Sequence, residues 1–138
     1  MKITIFGVGY VGLTAGVCFS EMGNSVLCMD IDKEKVRLLK DQKIPIYEPG
    51  LEEMLTRNMK DNRLDFTDNF NEALEFSDLI FIALGTPSTE DGDLNLDYIN
   101  SLVADIAKYS SSSKVVVIKS TVPPGTCLSI QSFLDNST

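Results

Sequence analysis

The 138-residue chain contains no histidine. Ser-His-Asp and Cys-His nucleophilic machinery is therefore excluded within it, and so is a histidine-ligated metal. Cysteine is scarce. Cys18, Cys28 and Cys127 are isolated, odd in number and without metal-site spacing. They suit a reducing compartment, which predicts a cytoplasmic protein, and they read as small core hydrophobes. Positive charge is also in short supply: 12 Lys and Arg face 20 Asp and Glu, leaving a net charge of -8. With no basic patch to offset it, neither nucleic acid nor an anionic membrane is expected as a partner. No stretch approaches the ~20 apolar residues of a membrane span. The longest strong run, around Leu79–Leu84, has the length of a strand. The apolar start carries glycines and runs straight into a fold pattern, so no signal peptide is expected.

What remains is the profile of a soluble globular domain, 43% hydrophobic and 23% charged, with enough chain for one sizeable core. Lys2–Phe6 reads as a buried strand. Tyr10–Met22 reads as a helix with Val11, Ala15, Cys18, Phe19 and Met22 on its inward face, ended by Gly23-Asn24. Ser25–Met29 is a second apolar strand, and Ile31–Lys40 a second helix with Val36 and Leu39 inward. Pro45, Pro49 and Gly50 make "KIPIYEPGL" a loop, after which Leu51, Met54 and Leu55 begin a short helix. A short strand over Arg63–Thr67 and a helix over Asn69–Phe76 follow. Asp78–Leu84 is a continuously apolar strand, as a parallel sheet covered on both faces requires. Asp97–Tyr109 is amphipathic, with Ile99, Leu102, Val103 and Ile106 at helical spacing. Ser110–Ser113 reads as an ordinary connection rather than a linker. A strand over Lys114–Lys119 and a helix from Thr126 complete the pattern. This alternation implies an α/β, Rossmann-like, doubly wound parallel sheet in one domain over residues 1–138, expected to stop short of its last strand.

Gly7-Val8-Gly9-Tyr10-Val11-Gly12 matches G-x-G-x-x-G between a strand and a helix of a βαβ unit. In that setting the first glycine makes the tight turn, the second lets a pyrophosphate reach the backbone, and the third lets helix and strand pack closely. The helix start offers free N–H groups and a positive dipole end to the phosphates. Asp30 ends the second strand near the ~20-residue spacing of a ribose-binding acid. It accepts from ribose hydroxyls and repels a 2′-phosphate, favouring NAD over NADP. Lys35 is a nearby cation that could soften this discrimination.

Ligands of open parallel sheets bind at the carboxyl ends of the strands. Leu84, Gly85, Thr86, Pro87 and Ser88 follow one strand there; Ser120, Thr121 and Val122, leading into Pro123-Pro124-Gly125-Thr126, follow another. Small side chains permit close approach to a flat cofactor and hydroxyls can bond ribose or a substrate oxygen, although the same residues also make good turns. The acidic stretch "STEDGDLNLD" has neither the register nor the closing glutamate of a calcium loop and reads as a solvated turn; no metal site is expected.

Together, "MKITIFGVGYVGLTAGVCFSEMGNSVLCMDID", "PIYEPGL", "GTPS" and "KSTVPPGT" resemble the UDP-glucose 6-dehydrogenase group of nucleotide-sugar dehydrogenases over Met1 to about Phe133. The resemblance implies NAD as cofactor and oxidation of the sugar 6-hydroxyl to a carboxylate in two NAD-dependent steps, turning UDP-glucose into UDP-glucuronate. It implies that Gly7–Gly12 hold the pyrophosphate, that Asp30 and Lys35 contact the adenosine ribose, and that Leu84–Ser88 and Ser120–Val122 line the cofactor. Thr121 matches a threonine that positions water or a substrate oxygen. "PIYEPGL", with Glu48, looks like a signature of the group, and its residue types alone assign it no role. Family members are much longer and homodimeric, and their nucleophilic cysteine lies outside the stretch matched here. The chain is thus expected to be the NAD-binding part of a longer enzyme, able to bind NAD but not to turn over. Two alternatives stay open: a dehydrogenase for GDP-mannose or UDP-N-acetylmannosamine, and a stand-alone dinucleotide-binding module.

Overall fold

A computed structural model describes residues 1–137. The chain runs β1 (Lys2–Phe6), α1 (Tyr10–Glu21), β2 (Ser25–Met29), α2 (Lys33–Lys40), α3 (Leu51–Lys60), β3 (Leu64–Thr67), α4 (Phe70–Phe76), β4 (Leu79–Ile82), α5 (Asp97–Tyr109), β5 (Val115–Ile118) and α6 (Thr126–Ser137). The five strands form one sheet in the order β3-β2-β1-β4-β5, and every neighbouring pair is parallel. In register, Ile5 lies opposite Cys28 on one side and Phe81 on the other. The order reverses at β1, whose successor packs to one side and β4 to the other. That is where an open α/β sheet forms its ligand crevice.

The expected α/β alternation is what folds. The central strands β1 and β2 bury both faces, so alternate residues feed different cores, while the edge strand β5 is only partly covered. Ile3, Ile5, Cys28 and Phe66 meet Leu13 and Val17 of α1, Val36 and Leu39 of α2, and Leu51 and Leu55 of α3. Phe6, Leu27, Ile80 and Ile82 meet Ala73 and Leu74 of α4, Ile99 and Val103 of α5, and Ile130 of α6. Thr4 is the polar exception inside β1. Its hydroxyl donates to the Ala73 carbonyl at 2.9 Å and accepts from Ser77 at 3.1 Å, which satisfies it in place. Among the described residues no helix is long and apolar enough to cross a membrane. The "STEDGDLNLD" stretch is a largely exposed turn closed by a Ser88–Leu94 bridge.

Two expectations are corrected. The buried face of α1 is Gly12, Leu13, Gly16, Val17 and Ser20; of the expected residues Ala15 and Phe19 pack half-buried against that core, while Val11 and Met22 are 47% and 76% exposed and Cys18 is exposed. The reason is steric. Small residues at 12, 16 and 20 bring the helix backbone down onto the sheet, and a Cβ on Gly16 would lie 2.5 Å from the Cys28 sulfur. A search for apolar spacing passes over Gly and Ser and selects the neighbouring stripe. The cysteines are likewise not all core residues: Cys28 is buried, but Cys18 and Cys127 are exposed.

Burial, with Asp65 adding to it, pushes the Cys28 thiol up to about 12. Thiolate is the reactive form, so a thiol reagent at mildly alkaline pH should modify two sulfurs quickly and the third only after denaturant is added. Three fast equivalents would show that the α1–β2 packing opens in solution.

Candidate functional site

The glycine loop sits at the carboxyl end of β1. Gly7 has φ +99°, and a Cβ there would come within 2.6 Å of the Ala83 carbonyl oxygen. Its N–H donates to the Met29 carbonyl at 2.8 Å, joining the loop to the end of β2. A Cβ on Gly12 would meet the Gly7 carbonyl oxygen at 1.8 Å. Two of the three glycines are therefore demanded by the protein's own packing. Gly9 differs, because a Cβ there meets nothing within 4 Å. The space beside it is open.

Gly9 is also the N-cap of α1, and no side chain caps that helix or places an acid in its first turn. The helices α3 and α5 also lack a side-chain cap but carry acids in their first turns, Glu52 and Glu53 in α3 and Asp97 in α5. Asp32 caps α2 by accepting from Lys35 N, and Asn69 caps α4 by accepting from Glu72 N. An uncapped first turn leaves N–H donors and a positive dipole end facing the open space. The residues present fit a dinucleotide pyrophosphate.

Asp30, at the end of β2, has a side chain only 13% exposed. Its Oδ2 accepts from Val8 N and its Oδ1 from Asp32 N, each at 2.9 Å. These two bonds fix the carboxylate beside the glycine loop. Each oxygen keeps a lone pair for a further donor, which is what a ribose diol requires. Lys35 Nζ lies 3.8 Å from Oδ2, so the cation expected near the acid is in ion-pair reach of it.

The remaining expected residues gather at the same edge. Thr86 Oγ1 donates to the Thr121 carbonyl at 2.9 Å, and Ser120 Oγ donates to the Leu84 carbonyl at 2.7 Å. The loops after β4 and β5 are thereby tied together, and here the hydroxyls serve the backbone. Val8 reaches the site through its N–H alone, because its side chain is buried in the core. Tyr10 and Val11 are exposed at the rim.

A cavity of about 550 Å³ is lined by Gly7, Asp30, Lys35, Leu84, Gly85 and Pro87, together with Phe6, Met29, Ile31, Phe70 and four residues of α5: Tyr98, Ser101, Leu102 and Asp105. It does not reach Gly9, Gly12, Thr86, Ser88, Ser120, Thr121 or Val122, which stand outside its walls. The α5 wall is not among the residues expected from the sequence. Its signal is nonetheless present: 98, 101, 102 and 105 share one stripe, directly beside the buried stripe of Ile99, Val103 and Ile106.

A parallel sheet with a topological switch, an uncapped glycine-rich helix start and an anchored carboxylate at the next strand end define a dinucleotide-binding domain. All 138 residues match the model of the UDP-glucose/GDP-mannose dehydrogenase family, NAD binding domain. The chain belongs to that family, and its cofactor is NAD. It is 46% identical over 136 residues to the UDP-glucose 6-dehydrogenase TuaD of Bacillus subtilis, covering 99% of this chain and 30% of that protein. Its fold matches a GDP-mannose dehydrogenase of Pseudomonas aeruginosa, solved as a ternary complex, with a TM-score of 0.92 at 38% identity over 99% of this chain and 32% of that one. A UDP-D-ManNAc dehydrogenase of Pyrococcus horikoshii matches with a TM-score of 0.92 at 30% identity, over 100% and 32%. The chain thus spans about a third of the length of the proteins it resembles.

Proposed function

We propose that this chain is the cofactor-binding part of a nucleotide-sugar 6-dehydrogenase that oxidises UDP-glucose to UDP-glucuronate. The observation that carries the substrate is the 46% identity to a UDP-glucose 6-dehydrogenase along almost the whole chain. Gly7–Gly12 hold the pyrophosphate at the α1 terminus, Asp30 with Lys35 takes the adenosine ribose, and the Leu84–Ser88 and Ser120–Val122 loops line the rest of the dinucleotide. Bound NAD supplies the hydride acceptor. Over the two steps the hydroxymethyl carbon gives up two hydrides and takes its second oxygen from water. In this reading Thr121, exposed after β5 and with its carbonyl accepting from Thr86, takes the role of orienting that water or a substrate oxygen. The nucleophilic cysteine, the nucleotide-sugar site and the homodimer contacts belong to a longer protein.

A second reading keeps the chemistry and changes the sugar, supported by the equally close fold match to enzymes named for GDP-mannose and UDP-D-ManNAc. The test is absorbance of NADH on mixing the purified chain, NAD and each of the three nucleotide sugars. None should give NADH. Turnover with any of them would overturn the assignment of this chain to cofactor binding alone and would name the sugar.

A further inference from the structure

The segment joining α2 to α3, residues 41–50, adds nothing to the sheet ladders. Its burial alternates: Ile44, Ile46 and Glu48 are half-buried, while Pro45, Tyr47 and Pro49 are exposed. A period of two marks an extended stretch with one face inward, and the two prolines restrict it to that form. Ile44 and Ile46 pack against the α1–α3 core. Glu48 continues the same face, half-buried, and its carboxylate meets a donor at the exposed edge of α1.

Tyr10 supplies it, its hydroxyl donating to Glu48 Oε2. The bond and the neighbouring charge hold the Tyr10 hydroxyl above its ordinary titration range. Tyr10 is the first residue of α1, next to the uncapped Gly9. Gly50, at φ +81°, then turns the chain into α3. Leu51 and Leu55 of α3 lie in one core with Leu13 and Val17 of α1. At the far end of α1, Glu21 accepts from Arg57 Nη2 and from Asn58 Nδ2, both at 2.6 Å. Tyr10 and Glu21 are about three helical turns apart, hence on one face. The 41–60 segment therefore grips the cofactor helix at both ends, and the grip at the cofactor end is the Tyr10–Glu48 bond.

We propose that Tyr10 and Glu48 are a positioning pair for the dinucleotide: through them the 41–50 segment holds the first turn of α1 so that its free N–H groups stay aimed at the pyrophosphate. This rests on the NAD reading above. The pair acts through backbone placement, and neither residue is required as a ligand.

The test combines NAD titration calorimetry with hydrogen exchange of the amides in residues 7–13, on the full chain without and with NAD. Y10F and E48A should each weaken NAD by about three- to tenfold, the effect of one charge-assisted hydrogen bond. Each should also speed exchange of the 7–13 amides without ligand. E48Q keeps an acceptor oxygen and should recover most of the loss seen in E48A. The Y10F/E48A double variant should be no weaker than either single variant, because the two changes break the same bond. Additive losses would overturn the pair. So would unchanged 7–13 exchange in both single variants, or tighter NAD binding in E48A, which would reveal Glu48 as a like charge acting on the phosphates. If the unaltered chain takes up no NAD, the cofactor reading falls. The pair's hold on the helix start is then decided by exchange alone: faster 7–13 exchange in both Y10F and E48A sustains it, and unchanged exchange ends it.

Discussion

Replacing Gly12 by alanine will break the phosphate-binding end of the domain, whereas the same change at Gly9, three residues earlier, will leave the fold intact and weaken NAD binding. The two outcomes differ because the two glycines answer different demands. At Gly12 the added methyl carbon would lie 1.8 Å from the Gly7 carbonyl oxygen and 3.2 Å from the Ala83 side chain. A backbone oxygen cannot swing aside, so α1 must lift off β1 and drag Leu13 and Val17 from the core. Overpacking of this severity costs about 3 kcal/mol or more, a fall in melting temperature of roughly 10 °C for a domain of this size. At Gly9 the backbone has φ -69° and ψ -169°, open to any residue, and the methyl group would meet no protein atom. Its stability should stay within about 1 kcal/mol, the reduced chain entropy of the unfolded state offsetting the poorer N-cap. The methyl group would instead fill the space that the pyrophosphate needs, with a loss of NAD affinity of about tenfold or more. Thermal melts and calorimetric NAD titrations of the two variants check both halves. A G9A variant that bound NAD normally would mean that no phosphate approaches this helix start.

The sequence carries the parts of this design that depend on local pattern. Continuous apolar strands alternating with amphipathic helices announce a covered parallel sheet, and the Gly7–Gly12 spacing with Asp30 at the next strand end announces the ligand. Both follow from periodicities and short-range spacings that one chain displays. The inward face of α1 is hidden from such patterns because Gly12, Gly16 and Ser20 work by being small, and smallness leaves no hydrophobic trace. Cys18 and Cys127 look like core residues in the sequence because residue type cannot tell one helix face from the next. The α5 side of the cavity is equally inconspicuous, because Tyr98, Ser101 and Asp105 resemble the solvated flank of any amphipathic helix. Tyr10 and Glu48, 38 residues apart in sequence, obey no spacing rule at all. Only the path of residues 41–50 brings them together, so the "PIYEPGL" stretch acquires a physical role once that path is known.

Asp30 should control both how tightly and which dinucleotide the chain binds. Its two oxygens already anchor Val8 N and Asp32 N, so Asp30→Ala removes two structural acceptors along with the ribose acceptor. Leaving those amides unpaired costs about 1–3 kcal/mol of stability, and the melting temperature should fall accordingly. The loss of a charged acceptor for the ribose hydroxyls should weaken NAD by about tenfold to a hundredfold. NADP should respond in the opposite sense. A 2′-phosphate about 4 Å from the Asp30 carboxylate is repelled by about 4 kcal/mol at an effective dielectric of ~20, and Lys35, 3.8 Å from Oδ2, offsets part of that. With the carboxylate gone, Lys35 faces the 2′-phosphate without its acidic partner, so the ratio of NADP to NAD affinity should rise by about a hundredfold. Asp30→Asn separates the two contributions. It retains one amide acceptor and the size of the side chain but loses the charge, so it should gain NADP affinity with a smaller stability loss than alanine. Parallel titrations of the unaltered chain, D30A and D30N with NAD and NADP decide the matter. If D30A keeps the preference of the unaltered chain for NAD, the discrimination does not arise from charge at the end of β2, and the cavity walls contributed by α5 become the place to look for it.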